Sequence, residues 1–185
     1  MPDNYMLPYA KTLTCAELPL GASCLLAKCS FFYERPAQKY SIRLPRKGPS
    51  LSVVEIIGLD SVNQVCGKLA AVLVPFKKQP LNKTARPSGT KYWKVFSQEE
   101  VIEFNRITND KNPIHFQKPP IVQGLLIFSQ LLTLIDETHA AIRFLSPLCA
   151  NEEVWILQEK DTLTGFTPER RCFHFESKAR RTISE

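Results

Sequence analysis

The 185-residue chain contains no apolar run approaching the roughly 20 residues that a membrane-spanning helix requires. Its first residues, MPDNYMLPYAKT, lack the basic stretch followed by an apolar one that marks a secretion signal, so a cytoplasmic location is expected. Glycine is scarce, at 7 residues, and neither an internal repeat nor a low-complexity segment is visible. Six cysteines are present, but none stands in a C-x-x-C pair or beside histidine at a zinc-finger spacing. In a reducing compartment Cys24, Cys66 and Cys172, which fall in apolar or strand-like runs, read as small buried apolar side chains, and no metal site is expected.

What is present suits a folded core. Hydrophobic residues make up 44% and charged residues 23%, which excludes whole-chain disorder. The length predicts one domain, at most with an extension. Charge is uneven: residues 1–96 carry +9 and residues 97–185 carry −3. A basic half suits an anionic partner such as nucleic acid, cofactor phosphates or an acidic carrier protein, or else a solvated surface. Lys77, Lys78, Lys83, Arg86, Lys91 and Lys94 cluster without the aromatic interleaving of RNA-binding surfaces, so nucleic acid ranks last.

Residues 1–20 read as an irregular arm. Strands are expected at 22–34, at 38–44 (ended by Pro45), at 51–57 and at 65–74. The proline-rich, basic stretch 75–90 reads as an exposed, mobile loop. A further strand is expected at 91–96. Ser97 then caps a helix, with Glu100 three residues on completing a capping box. Val101, Ile102, Phe104 and Ile107 form its apolar stripe, and it ends near Asn109. Residues 121–137 read as a buried helix of four to five turns. Strands follow near 142–146, 152–158 and 170–179. The implied architecture is α+β, a sheet wrapped around one apolar helix with strands from both ends of the chain.

Two features carry possible chemistry. Asp110 and His115 lie five apart across an Asn112-Pro113 turn at a helix end. A carboxylate and an imidazole facing one cavity can hold and deprotonate water; equally, an Asp there can be a cap and a lone His structural. Gly124 opens the apolar helix, where free N–H groups can meet a developing oxyanion, or where glycine allows tight packing.

The run Phe104-Asn-Arg-Ile-Thr-Asn-Asp-Lys-Asn-Pro-Ile-His115, followed by Pro120-Ile-Val-Gln-Gly-Leu-Leu126, resembles the hydratase motif of the MaoC-like family. That family includes (R)-specific enoyl-CoA hydratases and 3-hydroxyacyl thioester dehydratases. The resemblance covers about residues 91–158. It implies a hotdog fold, usually paired as a homodimer, and a substrate carried on CoA or an acyl carrier protein, with no other cofactor and no metal. It implies Asp110 and His115 as the dyad that activates water, Asn112 as support for their loop, and Gly124 as the backbone donor to the thioester oxygen, with Gln123 beside it at the substrate site. Four departures are visible. Asn109 and Gln123 stand where the pattern has glycine and histidine. The segment between His115 and Pro120 is short. The pattern's further strand beyond residue 181 is missing, so residues 1–90 are expected to supply strands and a basic linker, either part of or packed on the sheet of a core at 91–185. The departures motivate a second reading, a non-catalytic acyl-thioester-binding or protein-interaction hotdog. Thioester hydrolysis on the same fold ranks below both.

Overall fold

The computed structural model describes residues 5–18, 23–77, 83–136 and 138–178. Its frame is one antiparallel sheet of nine strands curved around two helical segments. Helix α1 (Leu7–Thr14) precedes β1 (Cys24–Tyr33), β2 (Lys39–Arg46), β3 (Ser52–Leu59) and β4 (Val65–Pro75). After β5 (Lys91–Val95), α2 (Gln98–Thr108) and a single 3-10 turn (Pro113–His115), α3 (Gly124–Ile135) precedes β6 (His139–Phe144), β7 (Glu153–Glu159), β8 (Thr162–Phe166) and β9 (Arg171–Ser177).

The spatial order is β2-β3-β4-β1-β6-β9-β8-β7-β5. Each half therefore holds a helix followed by four strands with the first strand innermost (α1 with β1–β4, α3 with β6–β9), and β5 adds the ninth strand at the outer edge. The halves meet where β1 runs antiparallel to β6, from Lys28 opposite Arg143 to Phe32 opposite His139. This is an internal repeat that the residue pattern does not display. Residues 24–75 and 91–177 thus share one sheet.

The core lies between sheet and helices. Phe128 of α3 meets Phe175 of β9 edge-on, and Leu131 and Leu132 are buried beside it. Full burial of each such side chain contributes roughly 1.5–3 kcal/mol. Trp93 packs edge-on against Phe96 and Phe173.

Several expectations are corrected. Residues 7–14 are helical, not an irregular arm: Met6, Tyr9, Ala10 and Leu13 recur at helical spacing and are buried, and Pro8 suits a first turn. Tyr9 sits edge-on to Phe31 and Tyr40, in space left by Gly58 and Gly67. Strand β2 continues through Pro45, because it is an edge strand and the missing N–H interrupts no inner ladder. Helix α3 has 12 residues, fewer than expected, since Ile121 forms a bridge with Cys149 and Asp136 closes the helix in the left-handed region. Strand β8 escaped notice because its turn uses Lys160 at φ 51° and not the usual Asn or Gly. The buried stripe of α2 is Val101, Phe104, Asn105 and Thr108, a regular i, i+3, i+4, i+7 set, whereas Ile102 is 49% exposed. His139 begins β6 and packs edge-on to Phe32.

Within the expected loop at 75–90, Lys78 to Leu81 and Asn82 lie outside the described residues. Beyond them Thr84 N–H donates to Glu169 O at 2.7 Å, and the Arg86 guanidinium stacks 3.8 Å from the Trp155 ring centroid. The basic cluster is partly neutralised, with Lys94 paired to Glu100 at 2.7 Å. Residues 179–185, with Arg180 and Arg181, also lie outside the described residues.

Candidate active site

The site begins with the capping box. Ser97 Oγ accepts from Glu100 N–H at 3.2 Å, and Glu100 Oε2 accepts from Ser97 N–H at 2.9 Å. This starts α2 and sets the angle at which its far end is delivered. There Asn109 adopts φ 56° and its N–H donates to Asn105 O. Asparagine tolerates this left-handed conformation better than any residue but glycine, which accounts for Asn109 in the glycine position of the resembled pattern.

The reversal at Asn109 places Asp110 at the helix end, its N–H on Asn105 O at 3.0 Å. Asp110 Oδ1 accepts from Asn112 N–H at 2.9 Å. Asn112 caps the 3-10 turn through its side-chain oxygen, and its Nδ2 donates to Cys24 O in β1 at 2.7 Å. The turn then carries His115 back over Asp110. His115 Nε2 and Asp110 Oδ2 stand 3.5 Å apart.

The other imidazole nitrogen fixes the tautomer. His115 Nδ1 is 2.7 Å from the carbonyl oxygen of Ile121. A carbonyl only accepts, so Nδ1 carries the proton and Nε2 presents a lone pair. The imidazole is buried, and burial pushes its pKa below the ordinary 6.5. The Asp110 carboxylate and the Ile121 bond oppose that shift without reversing it. His115 is therefore neutral at pH 7. The Nε2 lone pair then lies beside Asp110 Oδ2.

Gly124 begins α3, and no side chain caps that end. The first N–H groups of a helix have no partner within it, so Gly124 and Leu125 present free donors where both line the cavity. A methyl group on Gly124 would lie 2.9 Å from Leu26 Cδ2 and 3.0 Å from Phe144 Cε2. Close packing thus demands glycine here whatever its chemical role.

The cavity has a volume of about 1210 Å³ and is lined by Asp110, Asn112, His115, Gly124 and many apolar side chains, among them Leu13 and Leu26. All five expected site residues line this cavity. Gln123 lies at the wall, but its side-chain nitrogen is turned to α2, donating to Val101 O at 3.0 Å and to Asn105 Oδ1. Among the described residues, no group of His, Cys, Asp and Glu has the arrangement of a metal site.

Three participants were not foreseen. Cys24 lines the cavity, half-buried, its thiol pKa raised by burial and then by Asp110. Arg170, on the cavity wall, is tied to Glu152 and to Pro147 O at 3.1 Å. Asn105 is a buried amide on an apolar helix face, and the i, i+3, i+4, i+7 spacing of that face is the signal by which it was findable.

Comparison with protein-family models gives no match, and comparison with curated proteins gives none. Solved structures do match. One named MaoC-like dehydratase superposes with a TM-score of 0.61 at 12% identity, covering 95% of this chain and 83% of that one. A conserved hypothetical protein from Mycobacterium tuberculosis, described as having a double hotdog fold, gives a TM-score of 0.55 at 11% identity, over 96% and 82% of the two chains. An acyl-ACP thioesterase from Bacteroides thetaiotaomicron gives 0.53 at 7% identity, over 83% and 75%. The fold is accordingly a hotdog, and the two helix-plus-four-strand halves joined through β1 and β6 make it a double one.

Proposed function

We propose that this protein is a hydro-lyase that interconverts 2-enoyl and (R)-3-hydroxyacyl thioesters, carried on CoA or an acyl carrier protein. One observation carries the reading: His115 Nε2 and Asp110 Oδ2, both acceptors, converge at 3.5 Å on an apolar-walled cavity. Water has two O–H donors, and this pair of acceptors suits it. In hydration, the dyad takes a proton from that water as its oxygen bonds to C3 of the enoyl chain. The electron pair of the double bond moves through C2 onto the thioester oxygen, where the Gly124 N–H stabilises the enolate. The proton held by the dyad then goes to C2 on the same face, and the thioester carbonyl re-forms. Dehydration reverses each transfer. The antiparallel β1–β6 junction supplies within one chain the pairing that the resemblance implied between two.

The test follows enoyl-thioester absorbance with crotonyl-CoA and an octenoyl thioester on either carrier, for the wild type and Asp110→Asn. Absorbance is expected to fall with the wild type, and at least ~10²-fold more slowly with the variant. Equal rates in both overturn the dyad. Release of free thiol without hydration overturns the reaction in favour of thioester hydrolysis. No loss on either carrier overturns the enzyme reading in favour of acyl-thioester binding alone.

A further inference from the structure

The face of α2 that meets the start of α3 carries an amide, and so does the residue before α3. Asn105 is 4% exposed and Gln123 is 3% exposed. Gln123 Nε2 uses both hydrogens, on Val101 O and on Asn105 Oδ1. Because the Val101 carbonyl only accepts, the nitrogen of Gln123 and not its oxygen must face it. The amide orientation is therefore determined. The remaining ends, Gln123 Oε1 and Asn105 Nδ2, are buried and have no partner among the described residues.

Each unpartnered buried polar atom costs stability, and apolar side chains at these two positions would avoid that cost. What the amides achieve lies in the main chain of the same residues. Asn105 O accepts from the N–H of Asn109 and from that of Asp110. Asn105 thus holds Asp110 through its backbone and Gln123 through its side chain. Gln123 is joined by a peptide bond to Gly124. One buried residue consequently links the water-activating end of the site to its oxyanion end.

We propose that Asn105 and Gln123 form a positioning pair that sets the Asp110–His115 dyad relative to the Gly124 N–H. For its kinetic consequence the inference rests on the hydratase reading; for its structural consequence it rests on the bonds alone. The two amide groups are engaged with each other and with α2, so they act through Asp110 and Gly124.

The test uses the apolar pair Asn105→Leu with Gln123→Leu, each single variant, and Asn105→Ser. The double variant removes both unpartnered atoms while conserving packing volume, so its thermal stability is expected to equal or exceed the wild type. Its kcat for enoyl hydration is nevertheless expected to fall by roughly 10–10²-fold, as for a small misplacement of reacting groups, with KM within about twofold. Each single variant is expected to lose about as much as the double. The second measurement is the amide 1H–15N resonance of Gly124 and of Asp110 in the ligand-free protein. Gln123→Leu is expected to move the Asp110 signal, and Asn105→Leu or Asn105→Ser the Gly124 signal. An active wild type with unchanged kcat in the double variant overturns the positioning role and leaves the hydratase reading standing. An inactive wild type removes the hydratase reading, and the resonances still decide the pair: an unmoved Asp110 signal in Gln123→Leu overturns it. Asn105→Ser, the mildest change, supplies the same comparison from the Gly124 signal if the double variant does not fold.

Discussion

Asn112 donates its side-chain N–H to the carbonyl oxygen of Cys24, 88 positions earlier, at 2.7 Å. In the β1–β4 ladder Phe76 N–H donates to Ser23 O, so the next carbonyl, that of Cys24, points away from β4. The loop bearing Asp110 and His115 thus satisfies an acceptor on the first half of the sheet, and that half anchors the loop in return.

Replacing this residue tests the anchor. Asn112→Ala is expected to lose about 1–3 kcal/mol of stability in denaturant unfolding, because it leaves a part-buried carbonyl unpartnered and removes the cap of the 3-10 turn. Hydration is expected to slow as well. An unfolding midpoint equal to that of the wild type would show the bond to Cys24 to be without energetic weight.

The pH dependence follows from His115. Its folded pKa lies below the ordinary 6.5, chiefly through burial. As pH falls past 6.5 the unfolded imidazole takes up a proton first, so this residue's contribution to stability declines toward the folded pKa and then levels off. His115→Gln is expected to lack that part of the acid loss, read as the difference between the two unfolding curves across pH 5–8. The acid limb of kcat/KM is expected below 6.5, since protonation of Nε2 removes one acceptor for water. A limb above 6.5 would contradict the assignment.

Gly124→Ala places a methyl group against Leu26 Cδ2 and Phe144 Cε2. The start of α3 must shift, at a cost of about 1–3 kcal/mol, and hydration is expected to fall with it. Leu26→Ala in the same chain removes the 2.9 Å contact but leaves Leu26 Cβ at 3.1 Å, so activity is expected to return in part. Full activity of the single variant, measured by enoyl absorbance, would free the Gly124 amide from any need for close placement.

Tyr9 separates packing from polarity. Its ring is wholly buried, while its hydroxyl has no partner among the described residues and a pKa pushed up, mainly by burial. Tyr9→Phe is expected to be neutral or stabilising by up to ~1 kcal/mol, because no hydrogen bond is lost. Tyr9→Ala is expected to cost about 3–5 kcal/mol through the cavity it opens between α1 and the sheet. Thermal unfolding of both variants checks the pair.

The two departures at Asn109 and Gln123 have different physical origins. Asn109 answers a local demand, a left-handed residue at a helix end, and its type alone is informative. Gln123 answers a partner 18 positions earlier on another helix, so its neighbours in sequence carry no sign of it.

Local order was legible because its causes are local. The capping box of Ser97 and Glu100 spans four residues, the dyad turn spans six, and the alternation of the strands repeats every second residue. These made α2, most of the strands and the short Asp110–His115 turn legible, while α1 and β8 were not. The tertiary structure alone decided that α1 and β1 line part of the cavity, that β1 joins β6 into a nine-stranded sheet, and that α3 starts within packing distance of Leu26. Such contacts link residues far apart in the chain, and the free energy that selects them is shared burial, which depends on both surfaces at once and is written in neither segment alone.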